Sequence, residues 1–124
     1  MRDAHQKSYV AKRDFESQIK KYSSQLYKWR QDSTGCEWER VNLDRIVCYR
    51  IDFTHRSTKD VLIHLGKPNR IDTEYVNHNW TLIDYIYLMD PYCNDTLRPE
   101  TSPCFIKICT AKDEVLYNVI VCED

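Results

Sequence analysis

With 124 residues and a mass of 14.9 kDa, the chain has room for one domain. Hydrophobic residues make up 42% and charged residues 30%, which excludes a disordered tail, and no run approaches 18 apolar residues, which excludes a transmembrane helix. A net charge of −1 removes charge-driven nucleic-acid binding, and two glycines leave little material for a glycine-rich phosphate loop. The small net charge hides a gradient, because residues 1–30 carry +5 and residues 31–124 carry −6. Either a basic helix docks on an acidic body, or the basic segment is a patch for an acidic partner.

The first segment reads as a long basic helix within residues 1–35. Phe15, Ile19, Tyr22, Leu26 and Trp29 recur at steps of four and three, which lays one apolar stripe along a helix. Lys12, Arg13, Lys20, Lys21 and Lys28 form its solvated side, and neither Gly nor Pro interrupts Ser8 to Trp29. Gly35 supplies the exit. Shorter helices are expected over residues 36–68. In Cys36 to Tyr49, Trp38, Val41, Leu43, Ile46 and Tyr49 are mostly helix-spaced, but Val47, Cys48 and Ile51 blur the stripe. The next helix has clear punctuation: Ser57 or Thr58 as cap, Asp60 in the first turn, then Val61, Leu62 and Leu65 facing inward. Gly66 and Pro68 end it.

The sheet is expected over residues 80–122. Trp80 to Met89 is rich in aromatic and β-branched residues, Pro91 to Pro103 is a loop, and Cys104 to Thr110 and Val115 to Cys122 form a hairpin. Helices followed by a meander define an α+β fold, with the N-terminal helices on one face of a three-stranded antiparallel sheet, all within a single domain of residues 1–124.

Six cysteines, Cys36, Cys48, Cys93, Cys104, Cys109 and Cys122, form no CxxC and stand at no metal-ligand interval from a His. The amino terminus shows no apolar leader core, so either the thiols are free in a cytoplasm or a leader preceded this numbering. Strand parity sets an expectation for the pairing. With Lys107 and Asn118 directed to solvent, Cys104, Ile106 and Ile108 face inward together with Val115, Tyr117, Val119 and Val121. Cys122 then lies outside and cannot reach Cys104, and Cys93 is the better partner for Cys104.

The stretch Ser57 to Asn69, STKDVLIHLGKPN, followed by an aromatic strand and a hairpin, resembles the SmpA/OmlA (BamE-like) family. The matching residues are Val61, Leu65, Gly66, Pro68, Trp80, Tyr85 and Val115, and the likeness runs from Thr58 to Cys122. Asp32 to Cys36 followed by Arg40 also looks like small envelope proteins of this architecture. The resemblance implies a protein of the bacterial cell envelope or periplasm that works by contact rather than catalysis. Related folds include the β-lactamase inhibitor protein, which blocks an enzyme with its sheet face. An inhibitor or immunity protein is therefore the alternative function.

No motif demands an enzyme, a metal or a cofactor. Gly66-Lys67 lacks the second glycine and the following Ser or Thr of a phosphate loop. His5, His55, His64 and His78 are scattered, and a Cys–His hydrolase would need a pairing that no local signature supports. Asp84 and Asp90 are the carboxylates nearest a concave surface.

The candidate site comes from the first strand of the meander. With Asp84 outward, Ile83, Tyr85, Tyr87 and Met89 face the helices, while Trp80, Leu82, Ile86 and Leu88 share the other face. The same parity adds Phe105, Leu116 and Ile120. A face this apolar is expected to bind another protein or a second copy of the chain, unless the first helix or the Pro91 to Pro103 loop folds over it.

Overall fold

The computed structural model describes residues 14–93 and 103–122, so the Ser8 to Arg13 part of the expected first helix lies outside the described residues. Residues 14–21 are helical and lead through a turn at Tyr22 into α1, Ser23–Gln31. The backbone bonds Tyr22 N to Gln18 O at 3.0 Å and Leu26 N to Tyr22 O at 2.9 Å carry the axis through that turn. The stripe behaves as its spacing requires. Phe15, Leu26 and Trp29 are buried, and Ile19 and Tyr22 pack at the edge of the core.

Helix α2, Glu39–Arg45, passes into a π-helical turn at Ile46–Arg50. That turn explains the blurred stripe: the extra residue per turn rotates consecutive Val47 and Cys48 both into the core. Tyr49, inward in a continuous helix, is instead exposed, and so is Trp38, which flanks α2 on its N-terminal side. Helix α3, Thr58–Leu65, is capped by the Ser57 hydroxyl, which accepts from Asp60 N at 3.2 Å, and Asp60 pairs with Arg56 at 3.0 Å. Val61 and Leu65 are fully buried, whereas Leu62, one step round the helix from Val61, points to solvent. Gly66, at φ +80°, ends α3, and its carbonyl accepts from the Tyr87 hydroxyl at 2.7 Å.

The sheet has four antiparallel strands rather than three, in the order β1 (Arg70–Asn77), β2 (Trp80–Met89), β3 (Cys104–Ala111) and β4 (Glu114–Cys122). The unexpected strand, β1, is exposed at nearly every position, so no core-facing row announces it. Its sequence does alternate, Arg70-Asp72-Glu74 against Ile71-Thr73-Tyr75, and that period of two is the signal that could have found it. The β3–β4 turn is two residues long, with Lys112 and Asp113 both at positive φ, a geometry that suits the twist of a hairpin.

The core lies on one face of this sheet, where Phe15, Leu26, Trp29, Val47, Phe53, Val61 and Leu65 meet Tyr87, Met89, Ile106, Ile108 and Val115. The parity assigned to β2 and β3 therefore stands. The parity assigned to β4 does not. Cys109 pairs with Tyr117 and Thr110 with Val115, so Leu116 is an extra, bulged residue. Val115 faces the core as expected, but past the bulge the faces exchange. Asn118 and Ile120 turn inward opposite Ile108 and Ile106, and Tyr117, Val119 and Val121 turn outward. Asn118 Nδ2 donates to the Cys48 carbonyl at 2.9 Å, which satisfies its amide inside. Cys122 thus stands directly opposite Cys104, and the two are bonded. Cys93 pairs with Cys36 rather than Cys104.

The 32–38 loop is irregular, and hydrogen bonds and a close approach to the sheet hold it. Asp32 accepts from Glu37 N at 3.0 Å and from Arg40 N at 3.2 Å, at the entry to α2. Gly35, at φ +74°, lies so close to β2 that a Cβ there would collide with the Leu88 carbonyl. The Arg40 side chain is buried between the Trp29 and Tyr87 rings, its guanidinium carbon 5.0 and 5.5 Å from their centroids. Burial pulls its pKa down from the ordinary value, and Asp32 and Tyr87 oppose that shift. Arg40→Ala would empty the space between the two rings and remove the guanidinium that Asn69 Oδ1 and the Leu88 and Ser33 carbonyls accept from. We expect a loss of about 3 kcal/mol in urea unfolding. Arg40→Lys should recover only part of it, because an ammonium lacks the planar fork.

Candidate functional site

The register builds the open face of the sheet row by row. Arg70, Ile86, Lys107 and Val119 form one row across β1 to β4, and Asp72, Asp84, Cys109 and Tyr117 form the next. Leu88, Phe105 and Val121 flank the first row, and Glu74 and Leu82 lie beyond the second. The buried residues of the described helices cluster on the opposite face. The centre of the open face is nevertheless closed: Ile86 is 1% exposed and Cys109 0%, and both stand apart from the main core cluster.

Long cationic side chains lie against its aromatic rings. Arg70 is 5.9 Å from the Phe105 centroid, Lys107 is 5.6 Å from Tyr117, and Lys112 is 4.9 Å from Trp80. Their aliphatic stems cover apolar surface while the charges stay near water. Arg70 Nε also donates to both Asp72 oxygens, at 3.0 and 3.1 Å, which offsets the repulsion expected where Asp72 faces Asp84. A hydrogen bond to Tyr117 raises the Lys107 pKa, so this cation is retained.

Of the residues expected to bind, Trp80, Leu82, Ile86, Leu88 and Phe105 do share this face. Trp80 is 41% exposed, and Leu82, Leu88 and Phe105 are half-buried. Ile86 is fully buried, so it supports the face from beneath and is not available for contact. Leu116 is exposed at the β4 bulge. Ile120 lies on the core side, because the bulge reverses the parity that placed it outside. The same reversal brings in Tyr117, Val119 and Val121, which parity reasoning without a bulge assigns to the interior. A bulge leaves no reliable mark in an alternating apolar strand such as VLYNVIVC, so these three were out of reach of the pattern.

Chemistry on this face is restrained. Burial, and then hydrogen bonding to Asp84, raises the Cys109 thiol, and burial likewise raises Cys48. Both are the unbonded cysteines, and both are held as neutral thiols. Asp84 and Asp90 sit six residues apart along β2 and its end, roughly 20 Å at the rise of a strand. That separation is too wide for a pair of carboxyls flanking one glycosidic bond. His55 lies 3.0 Å from Glu114 at the surface, and the half-buried His64 ring packs on Phe15, with desolvation lowering its pKa. His78 is exposed beside the Tyr75 hydroxyl, and His5 lies outside the described residues. Among the described residues no group of three His, Cys, Asp or Glu side chains could hold a metal ion, and no helix is long and apolar enough to cross a membrane.

No family model, curated protein or solved structure matches this chain.

The thiols provide a direct check on the face and on the β4 bulge together. Non-reducing peptide mapping should link Cys36 to Cys93 and Cys104 to Cys122. In the native protein, Cys48 and Cys109 should resist iodoacetamide and become reactive only on unfolding. Fast native labelling of Cys109 would contradict the closed centre of the open face.

Proposed function

We propose that this chain is a non-catalytic protein-binding module of the bacterial cell envelope, similar in kind to BamE-like proteins, that docks another protein on the open face of its sheet. The observation that carries this reading is Trp80, a large aromatic on the face opposite the helices, 41% exposed and continuous with Leu82 and the exposed Tyr117 and Val119. Large aromatics with a satisfied polar surround are the residue type that dominates binding energy at protein interfaces. The buried Ile86 and Cys109 make the platform beneath them stiff, so little ordering cost is incurred on docking.

The envelope assignment draws on the two disulfides, since such bonds persist in oxidising compartments. The order of elements from Thr58 to Cys122 adds to it through the SmpA/OmlA resemblance. A rigid, disulfide-linked sheet face would equally serve an inhibitor or immunity protein, the second reading, in which the partner is one specific enzyme or toxin.

Affinity capture from an envelope extract of the native host, run beside sedimentation velocity for self-association, tests the face. Trp80→Ala should weaken the captured complex, or the dimer, by about 2 kcal/mol or more, roughly thirtyfold. Thermal stability should change little, because the ring already meets water. A large loss of stability with binding intact would place Trp80 in a structural role and end this reading.

A further inference from the structure

A second surface feature lies at the other end of β2, away from Trp80. A cavity of about 290 Å³ opens between α2 and the start of the β2–β3 connection. Trp38 and Tyr92 form one corner of it, with ring centroids 5.4 Å apart and planes at 86°. Asp44 and Asp90 contribute two carboxylates, and Met89, almost fully buried, contributes an apolar wall. No Lys, Arg or His is among the described residues that line it.

The corner is held by covalent bonds. Cys36, two residues before Trp38, is bonded to Cys93, the neighbour of Tyr92, so the two rings ride on segments that cannot separate. Cys104, bonded to Cys122, lines the same cavity. Asp90 is fixed in turn by its own backbone: its N–H donates to the Gly35 carbonyl at 2.7 Å, and its Oδ1 accepts from Tyr92 N at 3.3 Å. This explains how Trp38 can be 52% exposed and still have a defined neighbour.

The chemistry of such a lining selects by charge. Ring faces carry negative quadrupole potential, and the Asp44 carboxylate reinforces it, so an anion is repelled and a cation attracted. An apolar wall beside them favours a cation that carries carbon rather than a strongly hydrated metal ion. The volume falls at the lower end for small-molecule pockets, which suits one head group rather than a large cofactor. We propose that this cavity binds an organic cation, an alkylammonium or guanidinium head, seated against Trp38 and Tyr92 with Asp44 as its counter-charge. The head group is carried either by a free small molecule or by a basic side chain of a bound peptide. This site is independent of the Trp80 face.

The test follows the Trp38 indole N–H resonance in ¹⁵N spectra, identified by its loss in Trp38→Phe, through titration with four probes. Tetramethylammonium, Nα-acetyl-lysine amide and Nα-acetyl-arginine amide are the cations, and tert-butanol is a neutral compound of similar bulk. The cations should shift the resonance saturably, and tert-butanol should not. Asp44→Asn should weaken cation binding about fivefold, and Trp38→Ala, followed through the Tyr92 backbone amide resonance because the indole reporter is gone, about tenfold, with the Trp29 and Trp80 resonances unmoved as evidence of an intact fold. Tighter binding of tetramethylammonium than of the amides assigns a free small molecule, and the reverse order assigns a partner's side chain. Equal response to tert-butanol, no saturable response to any cation, or unchanged affinity in both variants would overturn the proposal. Trp80→Ala should leave these titrations unchanged, so failure here is distinguishable from failure of the sheet-face reading.

Discussion

One buried guanidinium ties the helical layer to the sheet. Arg40 Nη1 donates to Asn69 Oδ1 at 2.6 Å and to the Leu88 carbonyl at 3.3 Å, while its plane lies between Trp29 of α1 and Tyr87 of β2. Asn69 extends the connection, accepting from Leu88 N at 2.9 Å and donating to the Ser33 carbonyl at 2.9 Å. Removing a charge this size from water is costly, and the Asn69 amide oxygen, the Leu88 and Ser33 carbonyls and two ring faces offset that cost. Helix α1, the 32–38 loop and the end of β2 therefore have to arrive together, and a fold lacking any one of them leaves a buried charge uncompensated.

That convergence decides where the rest of the chain can go. With the loop pressed onto Leu88 at Gly35, Cys36 comes within disulfide reach of Cys93, at a Cα separation of 5.5 Å. The bond closes a separation of 57 residues, for which the chain-entropy model gives about 4 kcal/mol. The helices are then committed to one face of the sheet, and the outward rows depend on their own side chains. Arg70, Lys107 and Lys112 lying along Phe105, Tyr117 and Trp80 are the means by which that face remains compatible with water.

Much of this was legible where one physical cause acts alone. The Phe15 to Trp29 stripe and the Ser57, Asp60, Gly66 and Pro68 punctuation are local signals, and both elements formed as their spacing requires. The failures occur where two causes compete. After α2 the π turn breaks the 3.6-residue period, so Tyr49 came out while Val47 and Cys48 went in, and Trp38 is exposed at the flank that precedes the helix. In β4 an inserted residue exchanges the faces, which moved Ile120 inward and joined Cys104 to Cys122. Strand β1 went unread for a different reason: its alternation is real, but neither of its faces is buried, so no apolar row distinguishes it from a polar loop. The buried role of Arg40 carries no sequence mark at all, because its partners come from residues 29, 33, 69, 87 and 88.

These constraints also make the molecule mechanically uneven. The Arg40 cluster and both disulfides gather around the Met89 and Cys104 end of β2 and β3. At the far end, roughly 30 Å along β2 by strand rise, the β1–β2 turn is held by local contacts such as Asn79 N donating to Asn77 Oδ1 at 2.8 Å. Tyr75 and Val76 are exposed there, so this end of the hairpin has little apolar burial to anchor it. Segments with few buried contacts open at the lowest free energy, and the hairpin is the part of the sheet that can adjust to a neighbour. Trp80 stands at the junction of the two regimes, at the base of the adaptable turn but against Lys112 of the β3–β4 hairpin. Under the proposed docking role, an aromatic so placed would present a fixed anchor while the strand beside it conforms.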